Sequence, residues 1–223
     1  MRSWFPLAVL LLLASLGDGS VPQGEGDAAY QTAAQGQPAQ NDDGFLRRVR
    51  ARILQSQPFR ADFVQRVFVD EEVTLEESGF IVFAHRDRVK WQYLEPEYKT
   101  FVLENGGYSF YDRENKQLLR GRLGERSREL VWELLFADRP GQSCRWDARE
   151  RTIQIALDGE NGVEELRITV GPDLLPLRLE QTAVNDVTTV YEFRNYRPRI
   201  ALAAGEFALD LPADVEVIEE QAP

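Results

Sequence analysis

The sequence of 223 residues holds one cysteine, one histidine and one methionine, and its 26 Lys and Arg are outnumbered by 37 Asp and Glu. Each shortage excludes something. A lone cysteine, Cys144, forms no intramolecular disulfide and no multi-thiolate zinc site. A lone histidine, His85, removes the paired imidazoles on which many metal centres depend. A net charge of -11 provides no basic surface for a phosphate backbone, so nucleic acid is not expected as a partner. Phosphate-binding loops and nucleophile elbows are missing, and the Gly24–Gly26 pair lies in a polar leader. What is abundant is apolar material. With 43% hydrophobic and 10% aromatic residues, the chain can build a sizeable core.

The N-terminus reads as an export signal. Arg2 supplies a short basic region, Leu7–Leu13 an apolar stretch, and small residues follow. The stretch is too short to span a bilayer, so residues 1–20 are expected to be a cleaved signal peptide and the protein to reach the periplasm. No cysteine follows the apolar stretch, so a lipid anchor is not expected there. Removing residues 1–20 takes away Arg2 and Asp18 and leaves the charge unchanged. Residues 21–41 contain no Lys, Arg, Leu, Ile or Phe and read as a disordered linker. The folded domain is placed at 42–223.

That domain opens on a helix. Asp42 and Asp43 suit its N-terminus, Phe45, Leu46, Val49, Ile53 and Leu54 recur at helical spacing, and Pro58 stops it. From Phe59 the period switches to two. Strands are expected at Phe59–Val69, Leu75–Ala84, Val89–Tyr93, Lys99–Leu103 and Tyr108–Tyr111, with a turn at Asn105-Gly106-Gly107. Ser127–Phe136 reads as a second helix. Further strands are expected at Ile153–Leu157, Leu166–Val170, Leu177–Gln181, Thr188–Tyr196, Phe207–Leu211 and Val215–Ile218. Ten or eleven short strands with a few helices imply one mainly β domain, an antiparallel sheet large enough to curl.

Catalytic constellations are scarce. His85 has no local partner that would complete a triad, and Cys144 reads as a buried thiol as readily as a nucleophile. The acid pairs Glu71-Glu72 and Glu164-Glu165 fall at strand ends, where solvated charge is ordinary. No enzyme, cofactor or metal is therefore expected. A curled sheet can instead enclose an apolar cavity. Phe59, Ala61 and Phe63 share one strand face, as do Val89, Trp91 and Tyr93. They fill either an ordinary core or a site for acyl chains, whose methylenes each contribute roughly 0.8 kcal/mol on burial.

Five segments in order decide between these. FRADFVQ (Phe59–Gln65), Ser78-Gly79-Phe80, VKWQYLEP (Val89–Pro96), ENGGYSFYD (Glu104–Asp112) and FALDLPADVEVI (Phe207–Ile218) resemble LolA, the family of periplasmic carriers of outer-membrane lipoproteins. The resemblance runs from about Gly44 to Ile218. It implies an incomplete antiparallel β-barrel of about eleven strands whose apolar concave face lies under a helical lid. It also implies a monomer that accepts lipoprotein acyl chains from an inner-membrane ABC transporter and passes them to an outer-membrane receptor. Carried onto this sequence, the lipid-binding positions are Ile53, Phe59, Phe63, Val89 and Trp91, with Tyr93 added by strand alternation and Leu134 and Leu135 as lid contacts.

Two segments depart from the family pattern. Where an Arg-Pro latch usually precedes the third strand, this chain has His85-Arg86-Asp87-Arg88, so the lid latch falls on His85 with Arg86 one place away. Ser109 and Phe110 stand where an indole is common. The competing reading is a periplasmic domain of the same fold that senses lipid or lipoprotein.

Overall fold

The computed structural model describes residues 43–122, 136, 143–156, 163–183 and 187–220. The expected signal peptide and linker lie outside these residues, as do Leu134 and Leu135.

Helix α1 spans Asp43–Ser56. Its inward stripe of Leu46, Val49 and Ile53 is buried, while Arg47 and Arg48 lie on the exposed side. The backbone N–H of Arg199 and of Ile200 donate to the carbonyls of Ser56 and Pro58, tying the helix exit to the chain after the long eleventh strand. At its other end the Phe45 ring stacks on Trp146 with centroids 3.5 Å apart. No described helix is long and apolar enough to cross a membrane.

The rest is one sheet. The strands are β1 (Phe59–Val69), β2 (Glu72–His85), β3 (Arg88–Glu95), β4 (Lys99–Glu104), β5 (Gly107–Asp112), β6 (Gln117–Arg122), β7 (Ser143–Asp147), β8 (Thr152–Ala156), β9 (Val163–Val170), β10 (Pro176–Ala183), β11 (Thr188–Pro198) and β12 (Glu216–Glu219). They run in the order β12-β6-β5-β4-β3-β2-β1-β11-β10-β9-β8-β7 and do not close on themselves. This is the open, incomplete barrel that the sequence led us to expect, with twelve described strands instead of about eleven.

The differences have local causes. β6 and β7 carry no clear strand signal in the sequence, because Arg120, Arg122, Arg145 and Asp147 obscure their alternation. Phe207–Leu211, expected as a strand, is not one. It is a strap across the convex face, where buried Phe207 packs with Val82 and Val102, and Leu209 joins their partly buried surround. The Lys90 ammonium donates to the Glu206 carbonyl at 2.9 Å, and the Arg88 guanidinium lies over the Phe207 ring. A segment anchored by side chains in this way has no neighbouring strand with which to form a ladder. The final strand, β12, also breaks the antiparallel rule by pairing parallel to β6.

Turn chemistry sets the registers. Asn105 and Gly106, with φ of 54° and 73°, link β4 to β5 as the left-handed pair that a two-residue hairpin demands. In β1 the buried positions alternate strictly: Phe59, Ala61, Phe63, Gln65 and Val67. Register carries this inward face across the sheet, matching Phe59 to Phe83, Ala61 to Ile81 and Phe63 to Gly79 in β2. The same face continues to Val89, Trp91 and Tyr93 in β3. On the other side Phe63 meets Phe193 and Gln65 meets Tyr191 in β11.

Candidate functional site

The concave face is lined by rings. Trp91 of β3 sits in the middle, edge-on to Phe63 at 4.9 Å and tilted against Tyr191 at 5.4 Å and Phe193 at 6.0 Å. Phe63 also meets Tyr93 edge-on at 5.1 Å, and Phe59 stacks on Phe83 at 5.1 Å. Offset and edge-on pairs of this kind contribute about 0.5–1.5 kcal/mol each beyond their buried area. The aliphatic half of the face comes from Ile153, Ile155, Leu166, Ile168 and Leu179 of β8 to β10, all fully buried. Buried Cys144 of β7 belongs to this half.

Gly79 makes room for this arrangement. It stands between Phe63 and Tyr93 in the register of β1, β2 and β3, and a Cβ there would overlap the Gln92 carbonyl oxygen. Only glycine lets the two backbones approach this closely.

Of the sequence candidates, Phe59, Phe63, Val89, Trp91 and Tyr93 lie together on the concave face, and Ile53 of α1 packs into the same cluster. His85, the last residue of β2, and Arg86, in the turn to β3, lie elsewhere and are exposed. The His85 Nδ1 is 2.6 Å from Asp87 Oδ1, while neighbouring Arg88 pairs with Glu104 at 2.8 Å. Among the described residues the partner of His85 is thus its own hairpin.

One band of the face is polar, and sequence reasoning missed it. Gln65 and Glu77 face each other across β1 and β2, and both are buried to 1%. Lys99 of β4, equally buried, donates to Glu77 Oε1 at 2.8 Å and to Glu97 Oε2 at 2.8 Å. The Tyr93 hydroxyl donates to Gln65 Oε1 at 2.9 Å. Burial pulls the Lys99 ammonium down, but its hydrogen bonds to the two carboxylates and their charges carry it above the ordinary value. Desolvation pushes Tyr93 well above the usual phenol range, with Tyr191 and Glu77 adding to the shift. Tyr191 is raised by burial first and Glu77 second. The missed signal was phase. Gln65 and Lys99 sit in step with Phe63 and Phe101, where an inward residue should be apolar.

Outside the face, a groove of ≈ 550 Å³ runs between the strap and β4 to β6, lined by Val102, Ser109, Phe207 and Leu209 together with Glu219 and Glu220. The far convex face carries a self-paired charge ladder in which Arg178 and Arg66 both hold Glu192, at 3.1 and 2.9 Å. Among the described residues no group of three or more His, Cys, Asp or Glu is arranged to hold a metal ion. The concave face is thus an apolar, ring-lined surface on which α1 packs, interrupted by one polar band.

The family model described as "Outer membrane lipoprotein carrier protein LolA" matches residues 55–210. No curated protein sequence matches the chain. Among solved structures, an uncharacterized conserved protein from Thermus thermophilus is 16% identical with a TM-score of 0.52, covering 81% of this chain and 100% of its own. That likeness shows the fold. A LolA superfamily protein from Nitrosomonas europaea has 10% identity and a TM-score of 0.44, over 77% of this chain and 99% of its own. The MucA/MucB complex from Pseudomonas aeruginosa matches at 13% identity and a TM-score of 0.41, over 78% of this chain and 63% of its own.

Proposed function

The chain belongs to the LolA family of outer membrane lipoprotein carrier proteins, and on that premise we propose that it binds lipoprotein acyl chains in the periplasm and ferries them between membranes. The cargo is released from the inner membrane by an ABC transporter and delivered to a receptor at the outer membrane. The observation that carries this reading is the continuous ring-lined concave face, from Phe59 through Phe63 and Trp91 to Phe193, on a sheet that stays open.

Transfer of this kind makes and breaks no covalent bond. Its driving force is apolar burial, so a chain of about eight methylenes gains on the order of 6 kcal/mol when taken from water. In the structure the rings pack on one another and α1 lays Leu46, Val49 and Ile53 over part of the cluster. Cargo must therefore displace protein contacts, and the net affinity is the difference between two apolar burials. That balance keeps a carrier reversible: it holds acyl chains against water and releases them to a better apolar site. The acidic exterior, net -11, does not oppose an apolar cargo enclosed within.

The test is release. Purified protein is incubated with inner-membrane spheroplasts that carry newly made lipoprotein. A soluble one-to-one complex of protein and lipoprotein supports the carrier. Binding of free lipid while the lipoprotein stays on the membrane would overturn it in favour of a lipid-sensing domain.

A further inference from the structure

The polar band on the concave face is incompletely satisfied. Glu77 uses Oε1 on Lys99 and Gln65 uses Oε1 on Tyr93. Glu77 Oε2 and Gln65 Nε2 are buried without a hydrogen-bond partner, and their side chains stand directly opposite in the β1–β2 register. Exchanging the amide oxygen and nitrogen of Gln65 does not cure this, because one of the two atoms stays unpaired either way. Buried polar atoms are normally satisfied, and leaving one unmade is unfavourable. Here a lone donor and a lone acceptor belong to two residues paired across the strands of a mostly apolar wall.

The chemistry that completes such a pair is narrow. An ester only accepts hydrogen bonds, so it leaves Glu77 unmet. A carboxylate is repelled by Glu77. A secondary amide directs its N–H and C=O to opposite sides. A hydroxyl serves both from one oxygen, accepting from Gln65 Nε2 and donating to Glu77 Oε2. Lys99 and Tyr93 position the pair, since each holds the far oxygen of its partner and fixes where the free atom points.

Resting on the acyl-chain reading above, we propose that Gln65 and Glu77 form a hydroxyl-selective subsite on the apolar concave face. The preferred ligands are acylated molecules bearing a hydroxyl, on a glycerol head or on the chain itself.

The test compares three probes on the full chain, by displacement of a fluorescent apolar dye: methyl decanoate, methyl β-hydroxydecanoate and monodecanoylglycerol. A hydroxylated probe should bind about tenfold more tightly than the plain ester, because it gains one neutral and one charge-assisted hydrogen bond. Preference for the β-hydroxy ester places the hydroxyl on the chain; preference for the glyceride places it on the head. In Gln65→Leu, and separately in the double variant Glu77→Leu with Lys99→Leu, the ratio of affinities should fall by several-fold, because each removes one of the two hydrogen bonds. The double variant replaces both ions with apolar groups, so it remains a test where the single change fails to fold. Equal affinities for all three probes in the unaltered protein overturn the subsite and leave the carrier reading standing. A preference undiminished in both variants also overturns it. Binding of none of the probes overturns the subsite and the acyl-chain reading together.

Discussion

Replacing Trp91 with alanine probes the centre of the concave face. The indole is 7% exposed and meets Phe63, Tyr191 and Phe193. Its removal forfeits the transfer free energy of a large ring, three aromatic pairs and the packing that a void cannot restore, about 4 kcal/mol in all. Against a typical total of about 5–15 kcal/mol the variant stays folded, and at roughly 2 kcal/mol per molar its urea midpoint falls by about 2 M. Circular dichroism is the suitable signal, because the substitution removes one of the fluorophores. Methyl decanoate at about a hundred times its Kd should then restore ~2.7 kcal/mol by linkage, provided the face accepts a chain. A loss below about 1 kcal/mol would show that the indole does not hold the rings together. Absence of any ligand-induced shift would refute the use of this face for acyl chains.

Three other perturbations bear on the same architecture. Gly79→Ala pushes a Cβ into the Gln92 backbone and should cost about 3 kcal/mol, whereas Gly44→Ala in α1 meets nothing within 4 Å and should stabilise by up to about 1 kcal/mol; urea melts of both check this, and a neutral Gly79→Ala sinks the packing argument. Glu77→Leu alone strands the buried Lys99 ammonium with only half-exposed Glu97 and should cost roughly 3 kcal/mol, while changing Lys99 to Leu as well should recover most of it; thermal melts that rank the double variant below the single one contradict this. Tyr93, Tyr191 and Tyr196 are all raised by burial, with Glu77 near the first two and Asp173 near the third. Their folded pKa values lie above the unfolded value near 10, so the stability they contribute is full below pH ~10 and is lost as pH rises beyond it. Phenolate absorbance from three of the seven tyrosines should therefore lag in an alkaline titration and appear together with unfolding; a smooth titration of all seven near pH 10 would refute it.

Much of the fold was legible because alternation is a local signal. Phe59, Ala61 and Phe63 announce an inward face within five residues, and Asn105-Gly106 announces the hairpin that sets the β4–β5 register. The strap was illegible for the converse reason. Phe207, Leu209 and Leu211 alternate like a strand, and only the presence of Val82 and Val102 on the convex face turns that pattern into an anchor. β6 was hidden because Arg120 and Arg122 lie near the outer limit of the sheet, where charge is tolerated.

The candidate site divides the same way. Trp91 and Phe63 were readable as inward aromatic residues, and the order of five short segments identified the family. Gln65, Glu77 and Lys99 are distributed over three strands; Gln65 closes the FRADFVQ segment, but Glu77 and Lys99 belong to no motif. Their meeting depends on register, and a shift of one residue would turn each of them outward.

The sequence by itself determined the class of this protein, an acidic, thiol-poor, mainly β chain, because composition and period act locally. Only the tertiary structure decided that the last described strand runs parallel, that Phe207–Leu211 is a strap and not a strand, and that a buried ion pair and two unsatisfied polar atoms interrupt the apolar wall. Those features arise from contacts between residues far apart in the chain, and such contacts exist only once the strands have paired.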